Sequence, residues 1–414
     1  MTLPAYIIAG EPSGDRLGGA LMTAMARLAE VEFHGIGGRD MEAAGLQSLF
    51  PMSDLTVMGL SEVLPRIPLI LRRIRETAED IVTRKPAVLI TVDAPDFSLR
   101  VAKRVRRELP DLKVVHYVAP SVWAWRPGRA AKMARYVDHV LALLPFEPPY
   151  MEAAGMTCDF VGHPVAARAV PEAAEVAAFR EKHGLDRARR TLLLAPGSRR
   201  GEVRRFGQDL LEAVRLLRAR DARLQVVCPV AETVRDDVRE LLGSLDPPAI
   251  QILPEHGEDE KFLAFAAADA ALCASGTVTL EIAAAGTPMV AAYRTSWLTG
   301  QIVRRVSRVN TANLINLISG KPVVPEFLQE FCQPQALAEA VTSLLAGGPQ
   351  SDRQRDVFTE VLEAMGRGGV PPGERAARSV LSVIRGERRL SATPPPVPVA
   401  APGPGARHSG RRGD

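Results

Sequence analysis

Residues 88–126 read VLITVDAPDFSLRVAKRVRRELPDLKVVHYVAPSVWAWR, and the fold is decided here. Val88–Val92 is an apolar, largely β-branched run that stops at Asp93-Ala94-Pro95-Asp96. A helical pattern rich in Arg and Lys occupies 98–108. A second apolar run at 113–118 then empties into a loop with Pro120, Trp123, Trp125 and Arg126. Strand, helix and strand at this spacing form a βαβ unit with parallel strands. Ligands of open parallel sheets collect at the strands' carboxyl ends. The Asp pair and the Trp loop both sit at such ends, which marks the stretch as a candidate reaction centre.

The chain has 414 residues, more than one ordinary core accommodates, so two domains are expected. An apolar content of 46% and a mean hydropathy near zero fit a globular protein. A net charge of +4 is slight for this length and gives no nucleic-acid footprint, although pI 9.0 leaves room for local basic patches. Cys158, Cys228, Cys273 and Cys332 form no CxxC pair, so neither zinc nor a disulfide framework is expected. Widely spaced thiols fit a reducing cytoplasm. The N-terminus lacks a basic n-region and reads as a first strand, and no apolar run reaches the roughly 18 residues of a span.

In the first half, residues 5–9 form a strand entering Gly10-Glu11-Pro12-Ser13-Gly14-Asp15, with a helix expected over 16–28. The glycine spacing is neither GxGxxG nor a P-loop. The segment is a ligand loop at a helix N-terminus or an ordinary βα turn. Residues 52–81 interrupt the alternation. Val57, Met58, Leu60, Val63, Leu64, Ile67, Leu69, Ile70 and Leu71 stand beside Arg66, Arg72, Arg73 and Arg75. Pro65 and Pro68 are expected to break any single helix here. The segment suits a membrane interface; the alternative is a core helix with a solvated Arg face. Gly162-His163-Pro164 reads as a hinge.

The second half repeats the architecture without repeating the sequence. Apolar strand runs at 191–195, 224–229, 250–253, 270–273 and 288–293 alternate with helical patterns, one of which stops at Gly286. Two loops point at phosphate: Gly197-Ser198-Arg199 and Ser275-Gly276-Thr277 each lead from a strand end into a helix. Small residues there expose N–H groups, and Arg199 offers a bidentate clamp. Glu281 lies one turn on, sharing a face with Thr277, where a carboxylate would accept from ribose hydroxyls; the alternative is a buried, capped carboxylate.

The chain resembles the lipid-A-disaccharide synthases, a GT-B glycosyltransferase family, over roughly 5–385. The resemblance rests on AGEPSGD (9–15), MGLSEVL (58–64), DAPDF (93–97), HYVAPSVWAWR (116–126), LPFE (144–147), GHP (162–164), PGSR (196–199), ASGTVTLE (274–281), NLISG (316–320) and PEFLQE (325–330). It implies a GT-B-like α/β fold of two doubly wound, Rossmann-like domains facing a central cleft: 1–165 for acceptor and membrane, 166–348 for the UDP-sugar. Helices in 349–390 would return in part to the first domain. The Pro/Gly-rich tail 391–414 lies outside the resemblance and reads as disordered.

By the same resemblance, the enzyme transfers the sugar of UDP-2,3-diacylglucosamine to 2,3-diacylglucosamine 1-phosphate. The reaction inverts the anomeric centre, needs no metal or other cofactor, and yields the β-1,6 disaccharide and UDP. The place of work is the cytoplasmic face of the inner membrane of a Gram-negative-type bacterium. The partners are the two substrates and the membrane surface, with no nucleic acid. A homo-oligomer is compatible with the sequence, which does not set the oligomeric state. Asp93 matches the family's essential aspartate and is the expected base; Asp96 is the second choice for that role, otherwise an orienting partner or helix N-cap. Arg199 matches the donor-site arginine. Gly197, Ser198, Ser275, Gly276, Thr277, Glu281, Asn316, Glu326 and Gln329 match the UDP side. Glu11, Ser13, Gly14, Asp15, Trp123 and Trp125 are expected at the acceptor site or cleft, with packing the alternative for the tryptophans. A second basic-apolar patch is read at 296–308. Pro12 departs from the small residue usual in the family and removes a backbone donor. A UDP-sugar epimerase and a non-catalytic UDP-sugar-binding protein of the same fold are the competing readings.

Overall fold

The computed structural model describes residues 2–55, 60–123, 128–295 and 311–387, excluding the side chains of 60–65. Val57, Met58, Trp125, the 296–308 patch and the 391–414 tail therefore lie outside the described residues, as do the side chains of Leu60, Val63 and Leu64. The chain divides into two compact units, Met1–Ala167 with Ala364–Pro396, and Arg168–Glu363.

The first unit runs β1 (Leu3–Ala9), α1 (Pro12–Leu28), β2 (Val31–Ile36), α2 (Arg39–Ala43), α3 (Leu60–Arg84) and β3 (Val88–Val92). It continues with α4 (Pro95–Glu108), β4 (Lys113–Tyr117), α5 (Gly128–Met133), β5 (His139–Ala142), α6 (Pro148–Glu152) and β6 (Thr157–Phe160). Among the described residues its strands form one parallel sheet in the order β2-β1-β3-β4-β5-β6. Alternate residues feed two cores, which is why the strands read as unbroken apolar runs. Tyr6, Ile8 and Leu89 pack on one face with Ile74, Ala78, Val101 and Val105. Ala5, Ile7, Ala9, Ile90 and Val92 pack on the other with Leu17, Leu21 and Met22.

Three local expectations change. The first helix begins at Pro12, not residue 16, because proline at N1 gives up only an N–H that has no partner within the helix. Ser13, Gly14 and Asp15 are thus first-turn residues. Pro65 and Pro68 do not split α3, which is continuous over 25 residues. Burial of Ile74, Ala78 and Ile81 anchors its later turns, so packing outweighs the hydrogen bonds the prolines remove. Helix α4 starts at Pro95 with Ala94 in the capping position, so Asp96 is an exposed first-turn residue and not the N-cap.

The second unit contains α7 (Ala173–Lys182), β7 (Thr191–Ala195), α8 (Arg200–Arg220), β8 (Gln225–Pro229), α9 (Arg235–Leu242), β9 (Ile250–Ile252) and α10 (Gly257–Ala266). There follow β10 (Ala270–Ala274), α11 (Val278–Ala284), β11 (Met289–Tyr293), α12 (Leu314–Ser319), β12 (Glu326–Leu328), α13 (Pro334–Leu345) and α14 (Pro349–Ala364). Its described strands form a second parallel sheet, β12-β11-β10-β7-β8-β9. Leu192, Leu194, Val226 and Leu272 meet Phe206, Leu210 and Val214 of α8 and Leu337 of α13 in its core. Gln354 of α14 bonds both the N–H and the carbonyl of Met289 (2.8 and 3.1 Å), fixing α14 to this sheet. All four cysteines are buried, and none is in a disulfide.

The last helix, α15 (Pro372–Arg385), belongs to the first unit. Ala376, Ala377, Val380 and Leu381 join the core of α1, covering Val115, Tyr117 and Leu141. Polar ties fix its seat. Ser379 Oγ lies 2.8 Å from His139 Nε2 and donates to Asp159 Oδ2 at 2.7 Å, and Arg375 donates to Phe160 O at 2.6 Å.

Candidate functional site

A doubly wound sheet opens where its strand order reverses, since successive connections leave there in opposite directions. In the first unit that point lies between β1 and β3, in the second between β7 and β10. The loops there are Gly10–Ser13 with 93–96, and Gly197–Arg199 with Ser275–Thr277.

In the first unit the two loops touch. A Cβ on Gly10 would stand 2.8 Å from Ala94 Cβ, so only glycine permits the approach. Gly14 also lets α1 approach β3, its virtual Cβ lying 3.2 Å from Val92 O. The chain leaves β3 through Asp93 and Ala94 at φ 50° and 42°, and leaves the neighbouring β4 through Val118 at φ 83°. Non-glycine residues rarely adopt such values, least of all a β-branched one, and strained backbone of this kind clusters at functional sites. Asp93 N–H donates to Tyr117 O at 3.0 Å, and Ser98 Oγ donates to Asp93 O at 3.0 Å, which holds the kink.

The Asp93 side chain is half-buried. Burial pushes its carboxyl above the ordinary aspartate range, while the Ala94 N–H and the Arg129 guanidinium hold it back. Arg129 also bears on His116, which burial lowers to about 4 and whose Nδ1 lies 2.8 Å from Thr91 Oγ1. A half-buried carboxylate with a raised pKa suits a proton acceptor. Glu11 is exposed at the end of the adjoining loop, and Ser13 is exposed in the first turn of α1.

Asp15 has a different task. Its carboxylate accepts the N–H groups of Gly38 (2.8 Å), Asp40 (2.9 Å) and Met41 (3.1 Å), capping α2 from a buried position. Trp123 is packed inward as well, its ring edge-on to Phe146 at 5.2 Å and its Nε1 donating to Glu147 Oε1 at 3.3 Å. Glu147, in the LPFE motif, is buried. Burial raises it to about 7, against the pull of the Leu144, Trp123 and Leu143 N–H groups. Sequence reading gave Glu147 and Arg129 no role, since nothing local to either signals a partner.

In the second unit, Gly197 has φ 110°, and a Cβ there would fall 2.6 Å from Glu202 Oε2. Ser198 O accepts from Thr233 Oγ1 at 2.6 Å, fixing the loop. Arg199 occupies the capping position of α8; its side chain is 76% exposed and, among the described residues, pairs with Glu202 at a long 3.5 Å, which leaves the guanidinium accessible to an anion. Across the switch point Gly276 has open space where a Cβ would project, and Thr277 is exposed. Glu281 is neither buried nor capped: it is part-exposed and paired with Lys261 at 2.9 Å.

Ser275 Oγ donates to Glu326 Oε1 at 3.2 Å, and Glu326 also accepts from Thr311 Oγ1 (2.7 Å) and the Ala312 N–H (3.0 Å). Asn316 is buried, with its amide donating to Val324 O and accepting from the Val323 and Val324 N–H groups, so it shapes the turn before β12. Gln329 stands at φ 53° immediately after β12. Tyr293 ends β11 and feels the charges of Glu202 and Arg199, a neighbour that sequence spacing does not reveal.

The 52–81 segment resolves into faces. Ile67 and Leu71 are 40% and 50% exposed, beside exposed Arg72, whereas Leu69 and Ile70 are half-buried and Ile70 packs on the core. Arg73 turns inward, contrary to a headgroup contact. It pairs with Asp54 at 2.6 Å and Glu76 at 2.7 Å and lies over the Phe50 ring at 4.3 Å. Among the described residues no helix is long and apolar enough to cross a membrane. His163 Nδ1 accepts the Val165 N–H at 3.2 Å, a turn contact.

Two doubly wound parallel sheets with loops of this kind at their switch points define a GT-B-type, two-domain α/β protein. Solved structures share the fold at low identity. They include Staphylococcus aureus MnaA in a co-structure with UDP (TM-score 0.61, 15% identical, 93% of this chain and 96% of that one). Another is the Neisseria meningitidis UDP-GlcNAc 2-epimerase bound to UDP-GlcNAc (TM-score 0.59, 12% identical, 94% and 100%). The family follows from sequence: the lipid-A-disaccharide synthetase profile matches residues 5–377. The lipid-A-disaccharide synthases of Ruegeria pomeroyi and Rhodospirillum centenum are 50% and 48% identical to this chain, each over 92% of it and over 95% and 94% of their own lengths. The chain belongs to the lipid-A-disaccharide synthase family and is a glycosyltransferase of lipid A biosynthesis.

Proposed function

We propose that this glycosyltransferase joins UDP-2,3-diacylglucosamine to 2,3-diacylglucosamine 1-phosphate, with inversion and without a metal. The Asp93 carboxylate takes the proton of the acceptor 6-hydroxyl as its oxygen attacks the donor anomeric carbon. The bond to UDP breaks through an oxocarbenium-like transition state, and the electron pair leaves on the diphosphate oxygen. Arg199 and the N–H groups of the Gly197–Ser198 and Ser275–Thr277 loops stabilise that departing charge. Glu281 and Glu326 accept from the nucleotide's hydroxyls, and Gln329, whose amide is held by Thr295, shapes the donor side through the turn after β12.

The observation that carries the reading is Asp93 itself: half-buried, kinked into left-handed backbone at a switch point, and raised by burial. Family membership favours transfer over epimerisation, because the epimerase likeness is one of fold alone. The exposed Ile67 and Leu71 beside Arg72 support docking of α3 on the cytoplasmic face of the inner membrane, where apolar groups enter the interface and cations meet anionic headgroups. The acceptor side is assigned to 1–165 and the donor side to 166–348.

The decisive pair of variants is Asp93→Ala and Arg199→Ala. Asp93→Ala is expected to abolish transfer while leaving UDP binding intact, whereas Arg199→Ala weakens UDP binding as well. Substantial turnover by Asp93→Ala would refute the assignment of the base.

A further inference from the structure

Arg294, the first residue after β11, divides its guanidinium among three acceptors on two segments of the second unit. Nη1 pairs with Asp209 Oδ2 on α8 at 2.7 Å. Nε donates to Gln329 O at 3.2 Å, and Nη2 donates to Cys332 O at 2.8 Å. Those two carbonyls belong to the turn after β12, where Gln329 holds φ 53°. The next residue, Thr295, completes the grip: its N–H donates to Gln329 Oε1 and its Oγ1 accepts from Gln329 Nε2, both at 3.3 Å. A non-glycine residue keeps a left-handed conformation only when its surroundings over-determine it. Here the determinants are residues 294 and 295. The other end of the strut is α8, the helix that begins next to Arg199.

We propose that Arg294 is a positioning residue of the donor site, a strut that sets the Gln329 turn in a fixed relation to α8 and so presets both for a nucleoside-diphosphate sugar. The proposal rests on the reading of the second unit as the UDP-sugar site. A planar fork is required, because three acceptors, one on α8 and two in the turn after β12, lie around one side chain; the compact ammonium of lysine does not reproduce that pattern. Asp209 neutralises the guanidinium, so the strut adds no net charge at the site and acts through geometry.

The test is calorimetric titration of the full-length protein with UDP, using Arg294→Lys, Arg294→Gln and Asp209→Asn, with Tm followed in parallel. Arg294→Lys is expected to raise the Kd for UDP and the KM for the donor about tenfold, the loss of roughly one charged hydrogen bond. It is expected to leave the acceptor KM and kcat within about threefold, a split that general loosening would not give. Asp209→Asn releases the same strut from its α8 end, so adding Arg294→Lys to that background is expected to change the Kd by less than about twofold.

An equal effect of Arg294→Lys in both backgrounds would overturn the strut, as would an unchanged Kd in the folded single variant. If Arg294→Gln does not fold, the lysine and Asp209→Asn variants carry the comparison. A wild-type protein that binds no UDP would instead bring down the donor-site reading, and the proposal with it. Normal wild-type binding with silent Arg294 variants would remove the strut alone.

Discussion

Glu147→Gln isolates a buried ionisable group at the root of the Trp123 loop. In the folded chain this carboxyl rests at about 7, against 4.5 for an ordinary glutamate, because burial penalises its charged form. A folded pKa raised above the unfolded one means a contribution to stability that is complete below the unfolded value and lost as pH rises through the folded value. The full difference corresponds to about 3 kcal/mol, of which about 2.5 kcal/mol is lost between pH 5 and pH 8. Glutamine cannot titrate. It also presents an amide N–H₂ toward donors such as the Leu144 N–H, which costs about 1–3 kcal/mol, but that offset does not depend on pH. Urea unfolding followed by tryptophan fluorescence at pH 5, 6, 7 and 8 separates the two effects. The stability of the wild type relative to Glu147→Gln is expected to fall by about 2.5 kcal/mol over this range. Parallel curves, offset by a constant, would refute the argument that burial governs Glu147.

Three further outcomes are expected. The acidic limb of kcat/KM lies above the ordinary aspartate range, because burial raises Asp93 and activity falls as pH drops through its pKa. That limb survives Asp96→Asn, and a limb at the usual carboxylate position would contradict the burial. Gly197→Ala lowers stability by about 1–3 kcal/mol and weakens UDP binding, since alanine must hold φ 110° against Glu202; thermal unfolding and calorimetry check both. Ile67→Ser with Leu71→Ser reduces sedimentation with anionic vesicles while changing stability by no more than about 0.5 kcal/mol per site, because both side chains are exposed. Undiminished sedimentation would remove α3 from the membrane proposal.

What the sequence reveals of this fold is what short periods encode. Val88–Val92 announces a strand buried on both faces, and Gly286 stops a helix at φ 79° where a glycine is required. Switch-point loops are legible because Gly, Ser and Pro punctuate the ends of such runs. Partners distant in the chain are not legible. Asp15 looks like a loop carboxylate until Gly38, Asp40 and Met41 arrive to be capped. Arg73 looks like a membrane cation until Asp54 and Phe50 enclose it. Pro65 and Pro68 predict a broken helix because local propensity carries no record of the packing of Ile74 and Ile81. That the last helix, α15, covers the first sheet is expected from the family resemblance alone, since nothing local to residues 372–385 names the sheet they pack on.

The most direct test of the proposed reaction is UDP release from UDP-2,3-diacylglucosamine, with and without 2,3-diacylglucosamine 1-phosphate, in detergent micelles containing EDTA. Release that depends on the acceptor and yields a β-1,6-linked disaccharide is the expected result. UDP binding without acceptor-dependent release, across a panel of acyl-chain lengths, would contradict it.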